Sequence, residues 1–519
     1  MASNMSAAAN LPSPMATFSH YAFPIPKGFS FLGDKSLTWL YTTAVIVVSL
    51  LLVEQWLWRY RKGSLPGDKW MIPIIGKFAD STRPSMQAYQ KQWDMGALSA
   101  TSVFNIFIVM AANNEFSRKI LNSPMYAEPA LVHAAKLVLR SDNWVFLNGK
   151  AHVEYRRGLN ALFTRKALGA YLTVQEQIAR KHLTRWLAES QANPGPRPIM
   201  MDMRYCNMDT SLRVFCGDHI PEEAVKDINE KYWHITKSLE LVNFPLPFPG
   251  TKVWYAVQAR KSALRWLELA AEKSRIAMAA GGEPECMLDQ WIRAFTDDSY
   301  KGRKDFTNLE MAMVLFSFLF ASQDAMSSGL VYGFQHLVDN PDILAKVREE
   351  QTRVRQGNFD KPLTLDMIAE MTYLQAVVKE SLRLKSPVTM VPYRTTRPFP
   401  ISENYTVPRW SLVIPTFVTS LLDPNVYPEP ESFQPERWLD PESTANKNPK
   451  NYLVYGNGPH KCIGIEYANM NIALVLATAV CMMDFEHDVT PLSEEIDIIA
   501  TIFPKDGCRL TLTPRDNSA

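Results

Sequence analysis

The segment 455–464, with the sequence YGNGPHKCIG, contains the strongest candidate for a chemically active group in the chain, Cys462. Two glycines, Gly456 and Gly458, precede the cysteine, so the backbone there can turn tightly and approach a flat ligand closely. The apolar run 466–483 predicts a helix, which places Cys462 near a helix N-terminus, where the macrodipole favours a negatively charged sulfur. The residues therefore suggest a thiolate that binds a metal. The alternative is a buried, small hydrophobic side chain beside a turn.

The order of residue types around this cysteine is informative. An aromatic residue, Gly-x-Gly, a basic residue two positions before the cysteine and a glycine two positions after it resemble the haem-binding loop of the cytochrome P-450 family. The resemblance implies that the thiolate of Cys462 is the axial ligand of haem iron. Tyr455 stands where phenylalanine is commoner in the family. His460 stands where an arginine usually pairs with a haem propionate, so His460 is the expected propionate-binding residue here.

Composition describes a large protein with few special features. The 519 residues are 47% hydrophobic with a formal net charge of +2, which suits a large core and gives no reason to expect a nucleic-acid partner. The cysteines are widely scattered without CxxC spacing, which argues against a zinc site and a disulfide framework. No linker or internal repeat divides the chain. The six cysteines are Cys206, Cys216, Cys286, Cys462, Cys481 and Cys508.

An apolar stretch near the N-terminus predicts a membrane anchor. Residues 1–36 are rich in Ala, Ser, Pro and Met and are expected to be a disordered tail. Residues 37–58 are almost wholly apolar, with Trp and Tyr at both borders, and their length suits a single membrane-spanning helix. A cleavable signal peptide is the alternative. The late start and the lack of a small-x-small cleavage site favour a retained anchor.

The residues after this stretch predict its orientation. Arg59, Arg61 and Lys62 follow the apolar run at once, so the positive-inside rule places the large C-terminal part in the cytosol. The endoplasmic reticulum is the expected membrane. Residues 59–76 contain several helix breakers and are expected to form a hinge, and residues 77–519 the catalytic domain.

A second apolar segment, Leu309 to Val338, predicts a long helix that begins after a cap at Thr307 or Asn308. Its centre reads FLFASQDAMSS. Polar side chains in so apolar a helix are costly unless they meet water, a ligand or partners. These polar residues are Ser322, Gln323, Asp324, Ser327 and Ser328.

The same segment resembles the central helix of the cytochrome P-450 family, whose pattern is Ala/Gly-Gly-x-Asp/Glu-Thr-Thr. The resemblance aligns Asp324 with the acidic residue and implies a role for it in proton delivery or substrate positioning. Three residues depart from the pattern: Ser322 in place of the glycine, and Ala325 and Met326 in place of the threonines. The hydroxyl that helps deliver protons in the family is therefore missing at its place. Ser327, Ser328 or a water is expected to replace it.

Glu380 and Arg383 lie three residues apart on a predicted helix, Leu365 to Leu384, and share one face. Alone this pair is uninformative, because most such pairs are exposed. Downstream, residues 433–438 (FQPERW) resemble a conserved segment of the same family, which implies that Arg437 completes a buried Glu-Arg-Arg network under the haem loop. Buried charges persist only when they are mutually satisfied, so the expected role of the network is structural.

Further residues are implied to contact haem. His152 and Arg156 share one face of a predicted helix, 151–165. On their own, these two residues predict only a solvent-exposed helix face. In the family this position is often Trp-x-x-x-Arg with the arginine on a haem propionate, which implies that role for Arg156, with His152 in place of the tryptophan. Arg394 falls where the family often contacts a propionate. The backbone of Gly456 and Gly458 completes the expected cofactor site.

The resemblance implies a mainly α-helical catalytic domain with a small β region, preceded by the single anchor helix. It also implies haem b, dioxygen as co-substrate, and electrons from NADPH through NADPH–cytochrome P-450 reductase. The segments FLFASQDA, VPYRTTRPFPISENYTVP and YGNGPHKCIG are similar to those of a fungal branch of the family. Members of that branch introduce the 22,23 double bond into sterol side chains in ergosterol biosynthesis. The substrate pocket would be lined by Phe320, Val388, Met390, Val391, Ile502 and Phe503.

Two other functions stay open from the sequence. One is another membrane-bound monooxygenase, such as a sterol demethylase or a fatty-acid hydroxylase. The other is a haem-thiolate protein that does not activate dioxygen, such as an isomerase, electron carrier or haem sensor, which the replaced threonines allow.

Overall fold

The computed structural model describes residues 34–78, 84–131, 133–239, 246–300 and 302–516. Residues 1–33 of the predicted tail lie outside the described residues. The chain divides into two compact units, Met1–Leu57 and Trp58–Ala519. The prediction of a mainly α-helical fold with a small β region is confirmed.

The helices are numbered in chain order. They are α1 Asp34–Lys62, α2 Met86–Trp93, α3 Asn114–Leu121, α4 His133–Leu139, α5 Gly149–Leu159, α6 Arg165–Ala192, α7 Met200–Cys216, α8 Glu222–Ser238, α9 Lys252–Ala279, α10 Met287–Ala294, α11 Asn308–Asp339, α12 Pro341–Arg355, α13 Leu365–Glu370, α14 Thr372–Leu384, α15 Val418–Leu421, α16 Thr444–Lys447 and α17 Ile465–Met482.

The strands are short. They are β1 Leu98–Val103, β2 Ile106–Ala111, β3 Ala127–Pro129, β4 Arg197–Pro198, β5 Tyr393–Thr395, β6 Phe399–Ser402, β7 Tyr405–Val407, β8 Leu412–Pro415, β9 Met483–His487, β10 Ile496–Ile499, β11 Thr501–Pro504 and β12 Arg509–Pro514. The largest sheet has the order β1-β2-β8-β5-β3, in which β2 and β8 are parallel and the other pairs antiparallel. Three smaller sheets pair β4-β12-β9, β10-β11 and β6-β7.

Three helices in the described part of the chain are long and apolar enough to cross a membrane. Two of them, α11 and α17, are mostly buried inside the protein, as expected for core helices. The third, Thr38–Lys62, has only 6% of its apolar window buried, so it is the candidate span. The helix α1 contains the whole predicted anchor and also Arg59, Arg61 and Lys62, which form its last turn. Residues 59–62 of the predicted hinge are therefore helical.

The core is built around α11, which is buried over most of its length. Two glycines one turn apart let neighbouring helices approach it closely. A Cβ atom on Gly329 would lie 3.1 Å from side-chain atoms of Ile472 and Leu382, and one on Gly333 would lie 3.0 Å from Leu476. The helices α17 and α14 therefore pack directly against α11, and a larger side chain at either glycine would force them apart.

Local sequence explains several helix boundaries. Thr307 caps α11 and forms a capping box with Glu310, as the sequence predicts. Two boundary predictions are wrong. The helix predicted over 365–384 is broken at Met371, whose ψ of 60° is not helical, into α13 and α14. The helix predicted over 151–165 ends at Leu159 and is followed by a 3₁₀ turn and a new helix capped by Thr164.

Candidate functional site

The loop before α17 holds Cys462 in a fixed position. The Cys462 N–H donates to the carbonyl of Tyr455 at 2.9 Å, which closes the loop on itself. Gly456 and Gly458 have φ angles of 69° and 74°, in the region that favours glycine. At Gly458 a Cβ atom would lie 2.2 Å from the carbonyl oxygen of Leu121, so only glycine fits there.

Cys462 differs from every other cysteine in the chain. It is the only one of the six with an exposed side chain, and the other five are buried. Surrounding protein nevertheless raises the pKa of its thiol by desolvation, while a hydrogen bond from Gly464 and the charges of Arg156 and Lys461 act in the opposite direction. The thiol of Cys462 is thus accessible although protein surrounds much of it. It therefore lies in a recess.

Two histidines pack face to face beside this loop. The rings of His152, on α5, and His460 lie 3.9 Å apart with an interplanar angle of 26°. Arg156, one turn along α5, donates to the carbonyl of Pro459 at 3.4 Å. Burial and the charge of Arg156 lower the pKa of His152 to about 4, and burial lowers that of His460 to about 3. Both imidazoles are therefore neutral at physiological pH unless an anion lies beside them.

The recess contains a polar atom that the protein leaves unsatisfied. His152 is buried, and its Nδ1 has no hydrogen-bond partner among the described residues. The indole N–H of Trp144, whose ring stacks on His152 at 5.9 Å, has none either. A polar ligand group placed in this corner could therefore hydrogen-bond to either atom.

One short patch of α11 is accessible in the middle of an otherwise buried helix. Ala321 is exposed, and Phe320, Ser322 and Ala325 are partly buried. Ala321 and Ala325 are four residues apart and share one face. This patch of small and mostly apolar side chains is therefore accessible in the middle of the core helix.

Asp324 forms a buried ion pair that the sequence does not indicate. Its carboxylate accepts a hydrogen bond from Arg204 on α7 and another, at 3.0 Å, from the hydroxyl of Thr236 on α8. Arg204 also donates to Thr236 at 3.0 Å and lies 4.6 Å from the ring of Trp233. Because Arg204 lies 120 residues away, no local pattern could reveal it. The carboxylate thus joins α7 and α8 to α11.

Ser327 and Ser328, expected to supply the missing hydroxyl, are both fully buried. The Ser327 hydroxyl donates to the carbonyl of Gln323 at 2.5 Å within α11. The Ser328 hydroxyl donates to the carbonyl of Ile502 at 2.6 Å and so fastens α11 to β11. Main-chain carbonyls accept the hydroxyl protons of both serines. The observed role of these serines is therefore structural.

The structure brings Glu380, Arg383 and Arg437 together. Both carboxylate oxygens of Glu380 accept from Arg383 at 2.8 Å, and Oε1 also accepts from Arg437 at 3.0 Å. The indole N–H of Trp438 donates to Oε2 at 2.9 Å, a contact that the sequence did not predict. The side chains of Glu380 and Arg383 are completely buried.

Arg394, for which the sequence predicts contact with a haem propionate, lies on β5. Its guanidinium pairs with Glu128, which lies directly opposite it on β3, and packs 5.3 Å from the ring of Trp410. The two side chains are partly exposed. This ion pair arises from cross-strand register, which brings oppositely charged residues face to face.

The predicted pocket residues separate into three groups. Phe320, Val388 and Val391 are partly buried at the edge of the main core, as lining residues would be. Met390 instead packs with Trp93, Ile108 and Met110 in a second cluster, because successive side chains of an extended backbone point to opposite faces. Ile502 is 3% exposed and Phe503 fully buried, so both belong to the packed interior around β11.

Comparisons with known proteins agree on a family. The family model for cytochrome P-450 matches residues 77–511. The C-22 sterol desaturase erg5 of Aspergillus fumigatus is 42% identical over 95% of this chain and 98% of its own length. The C-22 sterol desaturase ERG5 of Saccharomyces cerevisiae is also 42% identical, over 95% of this chain and 93% of its own.

The fold comparison is more distant. The solved structure described as retinoic acid bound cyanobacterial CYP120A1 superimposes with a TM-score of 0.74 and covers 87% of this chain and 99% of its own. At 21% identity this likeness concerns the fold alone.

The network around Glu380 predicts a large loss of stability when its charge is removed. Glu380→Gln leaves two buried guanidinium groups without a counter-charge, which should cost about 3–5 kcal/mol. The neighbouring Glu436, whose side chain is half exposed and pairs with Lys346, provides a matched control. Glu436→Gln should cost less than about 1 kcal/mol. Thermal unfolding of both variants measures the difference, and equal midpoints would contradict the structural role of Glu380.

Proposed function

Because the chain belongs to the cytochrome P-450 family, we propose that it is a sterol C-22 desaturase that introduces the 22,23 double bond into a sterol side chain in ergosterol biosynthesis. The observation that carries this function is the match over nearly the whole chain to relatives that bear that name. The enzyme is a haem-thiolate oxidoreductase.

The residues around Cys462 fit haem b. The thiol is reachable, two glycines with positive φ fold the loop tightly around it, and small residues of α11 are accessible. Thiolate-ligated haem activates dioxygen when it is supplied with electrons. Of the expected propionate-binding residues, Arg156 and His152 have the best support, because Arg156 is half-buried beside the loop and His152 Nδ1 has no hydrogen-bond partner within the described segments. Arg394 is already paired with Glu128, so its guanidinium would have to bind the Glu128 carboxylate and a propionate at once.

The chain's own residues explain how a sterol side chain could be held. Phe320, Ala321, Ala325, Val388 and Val391 offer apolar surface without a buried charge, which suits a hydrocarbon substrate. Desaturation removes two hydrogen atoms from the sterol while dioxygen is reduced to two waters. The reaction therefore requires two further electrons and two protons. The proposed source of the electrons is NADPH, through NADPH–cytochrome P-450 reductase.

Asp324 has a positioning role in this proposal. Its ion pair with Arg204 holds α7 and α8 against α11, next to the accessible patch. Replacing Asp324 would leave Arg204 buried and unpaired, so loss of activity in such a variant would combine misplacement of these helices with any effect on proton transfer.

The proposed location is the membrane of the endoplasmic reticulum, crossed once by Thr38–Lys62, with residues 77–519 in the cytosol. The exposed apolar surface of that helix and the basic residues in its last turn support this orientation.

Ligation by Cys462 predicts a spectroscopic outcome. The reduced, carbon-monoxide-treated protein should show the red-shifted Soret band of thiolate-bound haem, and Cys462→Ala should abolish it. The buried Cys481, on the adjacent helix α17, is the matched control, and Cys481→Ala should keep the band. A normal band in Cys462→Ala protein would exclude this ligand.

The reaction predicts a defined product. Purified enzyme with reductase, NADPH and dioxygen should convert a sterol saturated at C-22 into its 22,23-unsaturated form, with hydroxylated sterol as a minor product at most. Mass spectrometry of the extracted sterols measures both. A side-chain alcohol as the main product would indicate a hydroxylase, nuclear demethylation would indicate a demethylase, and no dioxygen consumption would favour a haem protein of another kind.

The proposed topology predicts a protection pattern. Protease added outside sealed microsomes should digest the catalytic domain and spare the N-terminal tail and the span. Opening the vesicles with detergent should make the tail accessible as well. A protected catalytic domain would reverse the proposed orientation.

A further inference from the structure

Three side chains of types that bind zinc meet where the end of α7 approaches the start of α10. His219 lies in the 3₁₀ turn Gly217–His219 that follows α7, Cys286 is the N-cap residue of α10, and Asp289 lies in the first turn of α10. One ligand atom from each of the three lies within 4.8 Å of the other two. Within the described segments, no other group of three or more His, Cys, Asp or Glu side chains could hold a metal ion in this way. None of the three belongs to the site around Cys462.

Tertiary packing creates this group. The scattered cysteines argue against a zinc site made of closely spaced cysteines, and His219 and Asp289 are 70 residues apart in the chain. The turn after α7 approaches α10 closely at Gly217, whose φ angle is 55°. A Cβ atom there would lie 3.1 Å from the Cβ atom of Cys286. Glycine at this position therefore lets the turn carry His219 up to the N-terminus of α10.

Asp289 is buried, and hydrogen bonds hold both of its carboxylate oxygens. The Nε2 atom of His219 lies 2.8 Å from Oδ1, and the hydroxyl of Ser274 on α9 donates to the same oxygen at 2.5 Å. The backbone N–H groups of Glu285 and Cys286 donate to Oδ2 at 3.2 and 3.3 Å. Burial raises the pKa of Asp289, but these hydrogen bonds outweigh burial and hold the pKa below its usual range. The carboxylate is therefore charged at neutral pH and fixed in orientation, as a metal ligand should be.

The three donor atoms match the preferences of zinc. An imidazole nitrogen, a sulfur and a carboxylate oxygen are the usual protein ligands, at about 2.0–2.3 Å from the metal, so tetrahedral ligand atoms lie about 3.3–3.8 Å apart. A movement of about 1 Å by the side chains is enough to reach that spacing from the present one. The side chain of His219 is 20% exposed, so a cation can enter from its side and keep one water as the fourth ligand.

We propose that His219, Cys286 and Asp289 form a binding site for a zinc-type divalent cation, with water as the fourth ligand. The cation binds Nε2 of His219, the thiolate of Cys286 and Oδ1 of Asp289, and the proton of the thiol is released to solvent. Coordination replaces the hydrogen bond between His219 and Asp289 and joins the end of α7 to the start of α10. The site is independent of the proposed desaturase function, because none of its residues takes part in that reaction.

Zinc binding by the haem-loaded protein, prepared without a polyhistidine tag, tests the site. Cys286→Ser keeps a good N-cap residue but removes the sulfur ligand, and His219→Gln keeps an amide that can donate to Asp289. The matched controls lie outside the group: Cys206→Ser changes a buried cysteine and His234→Gln an exposed histidine. In equilibrium dialysis against zinc chloride, followed by metal analysis, the wild type and both controls should bind one zinc ion per chain with equal affinity. Both ligand variants should bind it at least about tenfold more weakly.

Two further readouts separate a metal site from a group held only by hydrogen bonds. Zinc chloride should raise the midpoint of thermal unfolding of the wild type and the controls, and should not raise that of the ligand variants. X-ray absorption at the zinc edge of the wild type should show one sulfur at about 2.3 Å and nitrogen or oxygen ligands at about 2.0–2.2 Å. An unchanged carbon-monoxide band in the presence of zinc excludes Cys462 as the source of that sulfur.

Either of two results overturns the proposal. One is equal zinc binding by the wild type and Cys286→Ser, and the other is a zinc coordination shell without sulfur. The absorption measurement requires only the wild type, so it decides the matter even if a variant fails to fold. Neither result changes the sterol product, so failure of the zinc site and failure of the desaturase function are seen in separate measurements.

Discussion

One buried carboxylate supports the architecture of the site. Glu380 pairs with the buried guanidinium groups of Arg383 and Arg437, and such charges are tolerated only when they are paired and hydrogen-bonded. Arg383 also donates to the carbonyls of Leu421 and Pro430, so the pair fixes loops far from it in sequence. Tyr452 donates to the carbonyl of Lys379 next to the network and thereby ties down the chain just before the cysteine loop.

The helix α11 reconciles two opposing requirements. It must be apolar to fill the core, and it must present polar groups near the site without leaving them unsatisfied. Each polar side chain in its centre is therefore matched by a partner from another element or from the helix backbone. Asp324 binds Arg204 and Thr236, Gln323 binds Asn207 and the Arg204 carbonyl, and Ser328 binds β11. The polar residues at the centre of α11 are unusual in so apolar a sequence. In the structure they bind this helix to neighbouring elements.

The sequence could predict features that depend on short-range chemistry. The cysteine loop, the cap at Thr307, the long core helix and the apolar N-terminal helix all follow from residue type and spacing. Features set by tertiary packing were not predictable. Arg204 finds Asp324 from a distant helix, Arg394 meets Glu128 through strand register, and Met390 turns to the second cluster because the chain is extended there. The break at Met371 lies within a good helical pattern and has no local breaker residue.

The packing of α11 gives a physical reason for the residues that replace the glycine and the threonines of the family pattern. Ser322 and Ala325, the two departures that matter most in α11, are three residues apart and lie on neighbouring positions of one helix face. The hydroxyl is therefore displaced by about one turn toward the helix N-terminus, and a methyl group takes its former place. The displaced hydroxyl lies 3.5 Å from the hydroxyl of Ser211, whereas Ala325 presents only a methyl group at the accessible patch of α11. Such an arrangement keeps a hydroxyl on the accessible part of α11 and replaces the threonine hydroxyl by hydrocarbon at position 325.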